Sequence, residues 1–402
     1  MSPKSITRVR RALTLALALV CAFVCSAERG EPEMSAAEGE SRVTFCCAGD
    51  FVIHSAVFAS ALKAGGGREY DFSPMLECVA PYMRGADFTL TNVDGVLGDA
   101  EFVRKHGISG YPAFSTPASL LEDLKQCGVD MLPLANNHAL DFWYDGLKTT
   151  VSTVESAGLL HVGGYRSRAE RETPLIVEIG GIRVGFLNYT DGLNKMDEQK
   201  GLDKAALDYG VAFTKYADIP GDVARLRAAG AEAVVCMMHW GAEYKSVPGQ
   251  GQKNLARTLA DAGVDVIVGS HPHMIQKAEY LTAKDGKQVL CLYSLGNFLS
   301  DQRDRGTDCG MLFEFTLHRD EDGRITVEDP VYRTTWVWRR MQSGEQLYTV
   351  LFSDDVSSRP EEMSEKDYAR MRQSAEDTRE IMDTGCARPA IESGETVAAP
   401  QR

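Results

Sequence analysis

Residues 131–142 read Met-Leu-Pro-Leu-Ala-Asn-Asn-His-Ala-Leu-Asp-Phe, an apolar run that ends abruptly in Asn136, Asn137 and His138. The run has the length and composition of a buried strand. Two amides and an imidazole at the end of such a strand need polar partners, and a metal ion or a phosphate would provide them. For this stretch alone the alternative is that an asparagine caps the following turn and His138 is an ordinary loop histidine.

The same pattern recurs along the chain as a helical segment, a glycine, and an apolar run that ends in polar residues. Gly128 precedes the run that leads to Asn137, and Gly263 precedes the run that leads to His271. Glycine is common after the last helical turn because it adopts the left-handed conformation at little cost. Helices that alternate with continuous apolar strands predict an α/β fold in which helices cover the sheets.

Polar side chains follow the carboxyl ends of several predicted strands. Ligands of open α/β sheets gather beyond these ends, so residues that share this position are expected to meet. The mixture of oxygen and nitrogen ligands suits zinc, manganese or iron, and the thiolates of a structural zinc site are missing. The residues at this position are Asp50, Asp94, Asn137, His138, His239, His271 and His273.

The composition limits the class of partner. The chain has 402 residues, of which 44% are hydrophobic and 25% are charged, so it can bury a sizeable core. The formal net charge of −14 argues against nucleic acid as a partner, because binding a phosphate backbone needs a basic surface. An anion bound by this chain would need bound cations as well.

The N-terminus has the composition of an export signal. Basic residues precede an apolar run at 12–25, and Ser26-Ala27 offers a small-residue cleavage site. The run is short for a membrane-spanning helix, so we expect a cleaved signal peptide and a location in the periplasm or at the cell surface. The alternatives are a membrane anchor through residues 12–25 and lipidation of Cys25.

The cysteines do not predict a disulfide framework. Of the ten cysteines, Cys21 and Cys25 lie in the predicted signal peptide, and the remaining eight show no zinc-finger spacing. Export would permit disulfides. The adjacent Cys46 and Cys47, however, point to opposite faces of one predicted strand, where cysteine behaves as a small apolar residue.

Five stretches of the chain resemble the CapA-type capsule synthesis proteins of poly-γ-glutamate biosynthesis, which are similar to calcineurin-like metallophosphoesterases. They are residues 135–141 (ANNHALD), 186–194 (FLNYTDGLN), 239–244 (HWGAEY), 265–276 (DVIVGSHPHMIQ) and 293–298 (YSLGNF). The resemblance covers residues 43–318. It implies a four-layer-type α/β sandwich of the metallophosphoesterase kind, with a C-terminal β-hairpin and a helical tail.

The sequence and the resemblance together divide the chain into five segments. They are a signal peptide (1–27), a linker (28–42), a CapA-like metallophosphoesterase-type domain (43–340), a C-terminal helical extension (341–383) and a disordered tail (384–402).

The resemblance implies roles for the polar strand-end residues. The implied metal ligands are Asp50, Asp94, Asn137, His239, His271 and His273. They would hold one or two divalent ions of manganese, zinc or iron, and His138 would donate a proton to the leaving group. Metallophosphoesterases carry a histidine where this chain has Val52, so the first of two metal positions lacks a ligand. His54 is a candidate substitute, and Asp94 stands where the family usually shows glutamate.

Four further residues are predicted to contact a substrate: Asn136, Tyr189, Glu243 and Tyr244. Packing is the alternative for the last two. Asp141 follows His138 by three residues and would either orient that imidazole or cap the next helix. Asn297 is expected to satisfy backbone groups rather than to bind substrate.

Two functions are consistent with the sequence. The first is an exported metal-dependent hydrolase of a phosphoester or related bond in the synthesis of a capsule or poly-γ-glutamate-type envelope polymer. The second is a non-catalytic, metal-containing envelope protein that binds or guides an acidic polymer. The expected partners are an envelope polymer or a small phosphoester, with a membrane complex of capsule synthesis proteins as a further possibility.

Overall fold

The computed structural model describes residues 39–390, so the predicted signal peptide (1–27) lies outside the described residues. The strands are β1 (Ser41–Val52), β2 (Phe88–Val93), β3 (Val96–Gly98), β4 (Ser115–Pro117), β5 (Met131–Pro133), β6 (Leu160–Val162), β7 (Ile176–Ile179), β8 (Ile182–Thr190), β9 (Ala233–His239), β10 (Val266–Ser270), β11 (Ile275–Thr282), β12 (Gln288–Leu295), β13 (Asn297–Ser300), β14 (Cys309–Arg319), β15 (Ile325–Gln342), β16 (Glu345–Phe352) and β17 (Arg388–Pro389).

The α-helices connect these strands and cover their faces. They are α1 (Ser55–Ala64), α2 (Ser73–Leu76), α3 (Ala80–Met83), α4 (Ala100–His106), α5 (Ser119–Gln126), α6 (Trp143–Ser156), α7 (Arg168–Glu172), α8 (Ile219–Ala228), α9 (Gln250–Ala262) and α10 (Glu365–Met382). Shorter helical turns occur at Met196–Glu198, Ala206–Gly210 and Val356–Ser358. No helix among residues 39–390 combines the length and apolar character that crossing a membrane requires.

Two large mixed sheets form the centre of the fold. The first has the strand order β16-β15-β14-β1-β2-β5-β6, with β13 beside β1 and β17 beside β15, and the second has the order β11-β12-β10-β9-β8-β7. Strands β1, β2, β5 and β6 run parallel to one another, and so do β8, β9, β10 and β12. The carboxyl ends of each parallel set therefore share one edge.

The two sheets pack face to face, and helices cover both outer faces. One core cluster joins residues of the two sheets, such as Phe45 of β1 and Val235 of β9. A second cluster joins the outer face of the first sheet to α1–α3, α5 and α6, and a third joins the second sheet to α8 and α9. The order of layers is helix, sheet, sheet, helix, so the prediction of a four-layer α/β sandwich is confirmed.

Side-chain alternation along the strands places the residues in these layers. Cys47 belongs to the core between the sheets and Cys46 to the core under the helices, as expected for neighbours on one strand. A fully buried Phe such as Phe45 stabilises the fold by roughly 1.5–3 kcal/mol relative to an exposed one. The eight cysteines of the described region are all free thiols.

The C-terminal region differs from the predicted helical extension at 341–383 and tail at 384–402. The predicted β-hairpin is present as β14 and β15, but β16 then adds a further strand to the first sheet. The predicted helical extension contains helix α10, which buries Met371 and Met382 in the core between the sheets. Strand β17 pairs with β15, and residues 391–402 lie outside the described residues.

The predicted linker at 28–42 also differs at its end. Strand β1 begins at Ser41, two residues before the predicted domain start, because Ser41 and Arg42 pair with the end of β14. Residues 28–38 lie outside the described residues.

Candidate metal centre

The polar strand ends of both sheets meet at one edge. Asp50 lies in β1, Asp94 follows β2 and His239 ends β9. Ligand atoms of these three side chains all lie within 4.8 Å of one another, and all three side chains are buried. Residues that are far apart in the sequence therefore come together because two sets of parallel strands end beside each other.

His239 lies at the centre of the group. Its Nε2 atom is 2.8 Å from Asn137 Oδ1, 3.1 Å from His271 Nδ1 and 3.9 Å from Asp94 Oδ1. Ligands that bind one ion at about 2.0–2.2 Å stand at separations of this size. On the other side of the ring, Nδ1 is 3.0 Å from Ser270 Oγ, a contact of the kind that orients metal-binding histidines.

The charge states of this group fit a divalent cation. Burial lowers the pKa of His239 well below its usual value and lowers the pKa of His271 to about 4, so both rings are neutral near pH 7. Burial, together with the charge of Asp94, raises the pKa of Asp50 to about 8. Neutral imidazoles are the form that binds metal, and a cation would offset the repulsion between two adjacent carboxylates.

Asp50 is held by two hydrogen bonds. Its Oδ2 atom accepts from the backbone N–H of His271 at 3.0 Å, and its Oδ1 atom accepts from Asn92 Nδ2 at 2.8 Å. The same Asn92 nitrogen donates to Asp94 Oδ1 at 2.8 Å. The Asn92 amide therefore bridges the two carboxylates of the centre.

His138 lies beside this group and pairs with Asp141. Its Nδ1 atom is 2.8 Å from Asp141 Oδ2, which also accepts from the backbone N–H of Phe114 at 2.8 Å. Burial lowers the pKa of His138, but the hydrogen bond to Asp141 and the charge of Asp94 raise it, and the net shift is upward. Of the two roles considered for Asp141, the structure shows the contact with the imidazole. Asp141 does not cap the next helix, since Phe142 is the N-cap residue of α6 and no side chain makes a capping hydrogen bond there.

His273 is placed by Asn297 on the other side of the centre. Its Nδ1 atom is 3.0 Å from Asn297 Oδ1, while Asn297 Nδ2 donates to the carbonyl of Thr307 at 2.8 Å. Asn297 thus satisfies a backbone group, as expected, and also orients a histidine. The other ring nitrogen, Nε2, is left for contacts toward the cavity that His273 lines.

A cavity of about 550 Å³ opens beside these residues. Asp94, His138 and His273 form part of its wall, and Glu243 and Tyr244 form another part. The Tyr244 ring lies 5.6 Å from the His273 ring and is 54% exposed. Of the residues predicted to contact a substrate, Glu243 and Tyr244 are therefore placed where they can do so.

Backbone strain is concentrated at this centre. His271 (φ 96°), His273 (φ 58°), Tyr244 (φ 64°) and Asn194 (φ 48°) have positive φ angles, which cost non-glycine residues about 1–3 kcal/mol each. The surrounding structure holds these residues in unusual conformations, and such strain is commonly found where side chains must be aimed at a ligand.

Tyr189 does not reach the cavity, contrary to the prediction. Its hydroxyl donates to Asp222 Oδ2 at 2.6 Å, and its ring lies in the core between the second sheet and its helices. The physical reason is the alternation of side chains along β8: Asn188 points toward the β5 end, where its Oδ1 atom accepts from the N–H of Ala135, and Tyr189 points to the opposite face.

Asn136 is buried at 1% exposure and fully bonded within the protein, so the prediction of substrate contact does not fit its surroundings either. Its Nδ2 atom donates to the carbonyl of Val93, and its Oδ1 atom accepts from the N–H of His138. Asn136 therefore holds the loop that carries Asn137 and His138.

A Tyr189→Phe variant tests the structural role of that side chain. Removal of the hydroxyl leaves the buried Asp222 carboxylate with one donor fewer, so we expect the free energy of unfolding to fall by about 1.5–3 kcal/mol. Urea unfolding followed by circular dichroism measures the change. Unchanged stability would contradict the assignment.

Several supporting residues were not predicted as part of the site: Asn92, Asn194, Ser270 and the orienting role of Asn297. Asn92 precedes Asp94 by two residues on β2 and so shares its face, which is a signal that the sequence did contain. Asn194 accepts from Asn137 Nδ2 at 3.1 Å and contacts the His138 ring at 3.3 Å. That contact depends on the path of a loop, and strand periodicity does not predict it.

Comparison with known proteins places the chain in a family. A family model described as bacterial capsule synthesis protein PGA_cap matches residues 44–302. The capsule biosynthesis protein CapA of Bacillus anthracis is 30% identical over 245 residues, which are 60% of this chain and 56% of that protein. The PGA biosynthesis protein CapA of Bacillus subtilis (strain 168) is 27% identical over 258 residues, 63% of each chain.

The matched region spans 56% and 63% of the lengths of these two relatives. Among solved structures, the NAD nucleotidase of Haemophilus influenzae has a TM-score of 0.47 and 11% identity, covering 87% of this chain and 64% of that one. The family model covers more than half of the chain, and the chain belongs to the bacterial capsule synthesis protein family.

Proposed function

We propose that this chain is a metal-dependent hydrolase that cleaves a phosphoester or a related bond during the synthesis of a capsule or poly-γ-glutamate-type polymer. The printed names of its relatives refer to capsule and PGA biosynthesis, which supports the polymer pathway. The hydrolytic part rests on one observation: His239 Nε2, His271 Nδ1 and Asn137 Oδ1 converge beside a paired histidine and a cavity.

The ion would be held by Asp94, Asn137, His239 and His271. A divalent cation supplies Lewis acidity and charge neutralisation to a phosphoryl group. The cavity wall contains three acidic residues, Asp94, Asp141 and Glu243, and one basic residue, Lys195, so the bound cation would add to the attraction of an anionic substrate.

His138 would act as the proton donor. Its Nδ1–H donates to Asp141, which fixes the ring, and Nε2, which lies 3.3 Å from Asn194 Nδ2, is the nitrogen that would meet a leaving oxygen in the cavity that His138 lines. A histidine whose second nitrogen is held by a carboxylate can present a proton to a leaving oxygen.

A substrate screen with and without metal tests the proposal. The purified chain is treated with a chelator, reloaded separately with manganese, zinc or iron, and assayed on phosphomonoesters, phosphodiesters and γ-glutamyl chains. We expect a phosphoester to be cleaved, the activity to disappear with the chelator and to return with metal. A metal-loaded chain that cleaves none of these substrates would contradict the proposal and favour the polymer-guiding function.

Tyr244 is expected to contribute to substrate binding. A Tyr244→Ala variant should raise KM about tenfold, equivalent to about 1.4 kcal/mol, and leave kcat nearly unchanged, because the exposed ring lies on the cavity wall and is not among the proposed metal ligands or the proton donor. Tyr216→Ala is the matched control, since Tyr216 is 55% exposed and lies outside the cavity wall. Steady-state kinetics distinguish the two variants, and an equal KM in both would contradict the assignment.

Export and assembly belong to the same proposal. The apolar run at 12–25 and the Ser26-Ala27 site support secretion to the periplasm or cell surface, where a membrane complex of capsule synthesis proteins would be the partner. N-terminal sequencing of the protein from the envelope fraction tests this part. A mature N-terminus at residue 28 is expected, and an intact N-terminus in the cytoplasmic fraction would contradict it.

A further inference from the structure

The position where a second metal ion would bind lacks one of the ligands that metallophosphoesterases have there. A second ion would occupy the position that Val52 leaves incomplete: it would use Asp50 and His273, share Asp94, and need a further ligand at residue 52, where metallophosphoesterases carry histidine. Position 52 holds a valine that is 2% exposed and lines the cavity. Its isopropyl group offers no lone pair to a metal ion.

His54 does not replace the missing ligand. Its Nδ1 atom accepts a hydrogen bond from the backbone N–H of Asp301 at 3.3 Å. A neutral imidazole that accepts at Nδ1 carries its hydrogen on Nε2, so the second nitrogen is a donor and not a ligand. The ring is also packed at 5.8 Å against the edge of the Phe114 ring.

The Asn92 amide group lies between the two carboxylates that a second cation would neutralise. Its amide nitrogen donates to Asp50 Oδ1 and to Asp94 Oδ1, both at 2.8 Å. The partial positive charge of the two amide hydrogens thus lies between the carboxylates that a second ion would have to bridge. Asp50 Oδ2 is already an acceptor for the His271 N–H, so each oxygen of Asp50 accepts a hydrogen bond from the protein.

From these contacts we infer that the centre is mononuclear: one divalent ion binds at Asp94, Asn137, His239 and His271, and a second does not bind because Val52 supplies no ligand, the Asn92 amide stabilising the two carboxylates in its place. This inference rests on the proposed function for the presence of the first ion. Asp50 is then a positioning residue. It accepts a hydrogen bond from the backbone N–H of His271, which holds His271 in place, and Asn92, which donates to Asp50, also donates to Asp94 and holds that carboxylate.

Metal stoichiometry tests the inference without any assay of activity. The full chain is freed of metal with a chelator, titrated with Mn²⁺, passed through a desalting column and analysed for metal content and by electron paramagnetic resonance. We expect about one ion per chain and the spectrum of an isolated Mn²⁺ ion. A Val52→His variant supplies the missing ligand, and we expect it to bind about two ions and to show an exchange-coupled spectrum.

The outcomes separate the inference from the proposed function. Two ions or an exchange-coupled spectrum in the unmodified chain would overturn the inference and leave the proposed function standing. No bound ion would overturn both. A Val52→His chain that still binds one ion would overturn the role given to Val52, and Val52→Ala, which adds no ligand, controls for the loss of the valine.

Discussion

Replacement of His239 by alanine is expected to remove the metal ion and, with it, all hydrolysis above the background rate. The Nε2 atom of His239 lies between Asn137 Oδ1 and His271 Nδ1, so its removal takes away the ligand around which the others are arranged. Loss of an outer partner of a metal ligand already costs about 10–100-fold in affinity, and loss of the ligand itself should exceed that. Isothermal titration with Mn²⁺ and metal analysis measure the effect.

Ser270→Ala is the matched comparison for this variant. Ser270 Oγ lies 3.0 Å from His239 Nδ1 and touches the ring from the side away from the ion. We expect this variant to keep the ion with an affinity reduced about 10–100-fold. A His239→Ala chain that is folded by circular dichroism and retains its metal would show that the ion binds elsewhere.

Replacement of His138 by alanine is expected to lower kcat by about 10²–10⁴ while the metal content stays the same. The imidazole is oriented by Asp141 and faces the cavity, and we assign no metal-binding role to it. Loss of its proton transfer should therefore slow the chemical step and not the binding of the ion. Steady-state kinetics combined with metal analysis of the same sample separates these effects.

His161→Ala controls for the loss of a partly buried histidine. His161 also has a carboxylate neighbour, with its Nε2 atom 3.3 Å from Glu155 Oε1, but it lies in a different cavity. We expect its kcat to equal that of the unmodified chain. The proton-donor role would be refuted by a His138→Ala chain with full kcat, or by one that loses metal as readily as activity.

The layered fold could be predicted because its signals are local. Glycines such as Gly263, which has a left-handed φ of 101°, mark the helix ends, and alternation separates Cys46 from Cys47. The strand-end position then indicated which polar residues would meet, since parallel strands end at one edge whatever the loops between them do. Asp50, Asp94 and His239, whose ligand atoms lie within 4.8 Å of one another, were all expected to meet there, and their assignment as metal ligands stays a prediction.

Features that depend on tertiary packing were not predicted. The face that Tyr189 occupies depends on the register of β8 within the second sheet, which a continuous apolar strand does not reveal. Strand β16 was not predicted. It follows the long strand β15, and its residues were assigned to the C-terminal helical extension rather than to a further strand at the edge of the first sheet. The contact of Asn194 with His138 depends on a loop with left-handed residues, and the periodicity of apolar residues does not predict the geometry of that loop.

X-ray diffraction from Mn²⁺-loaded crystals, with an anomalous difference map, locates the ion directly. We expect one strong peak within bonding distance of His239 Nε2, His271 Nδ1, Asn137 Oδ1 and Asp94. A map with no peak at these atoms, or with the ion bound at another part of the chain, would contradict this expectation.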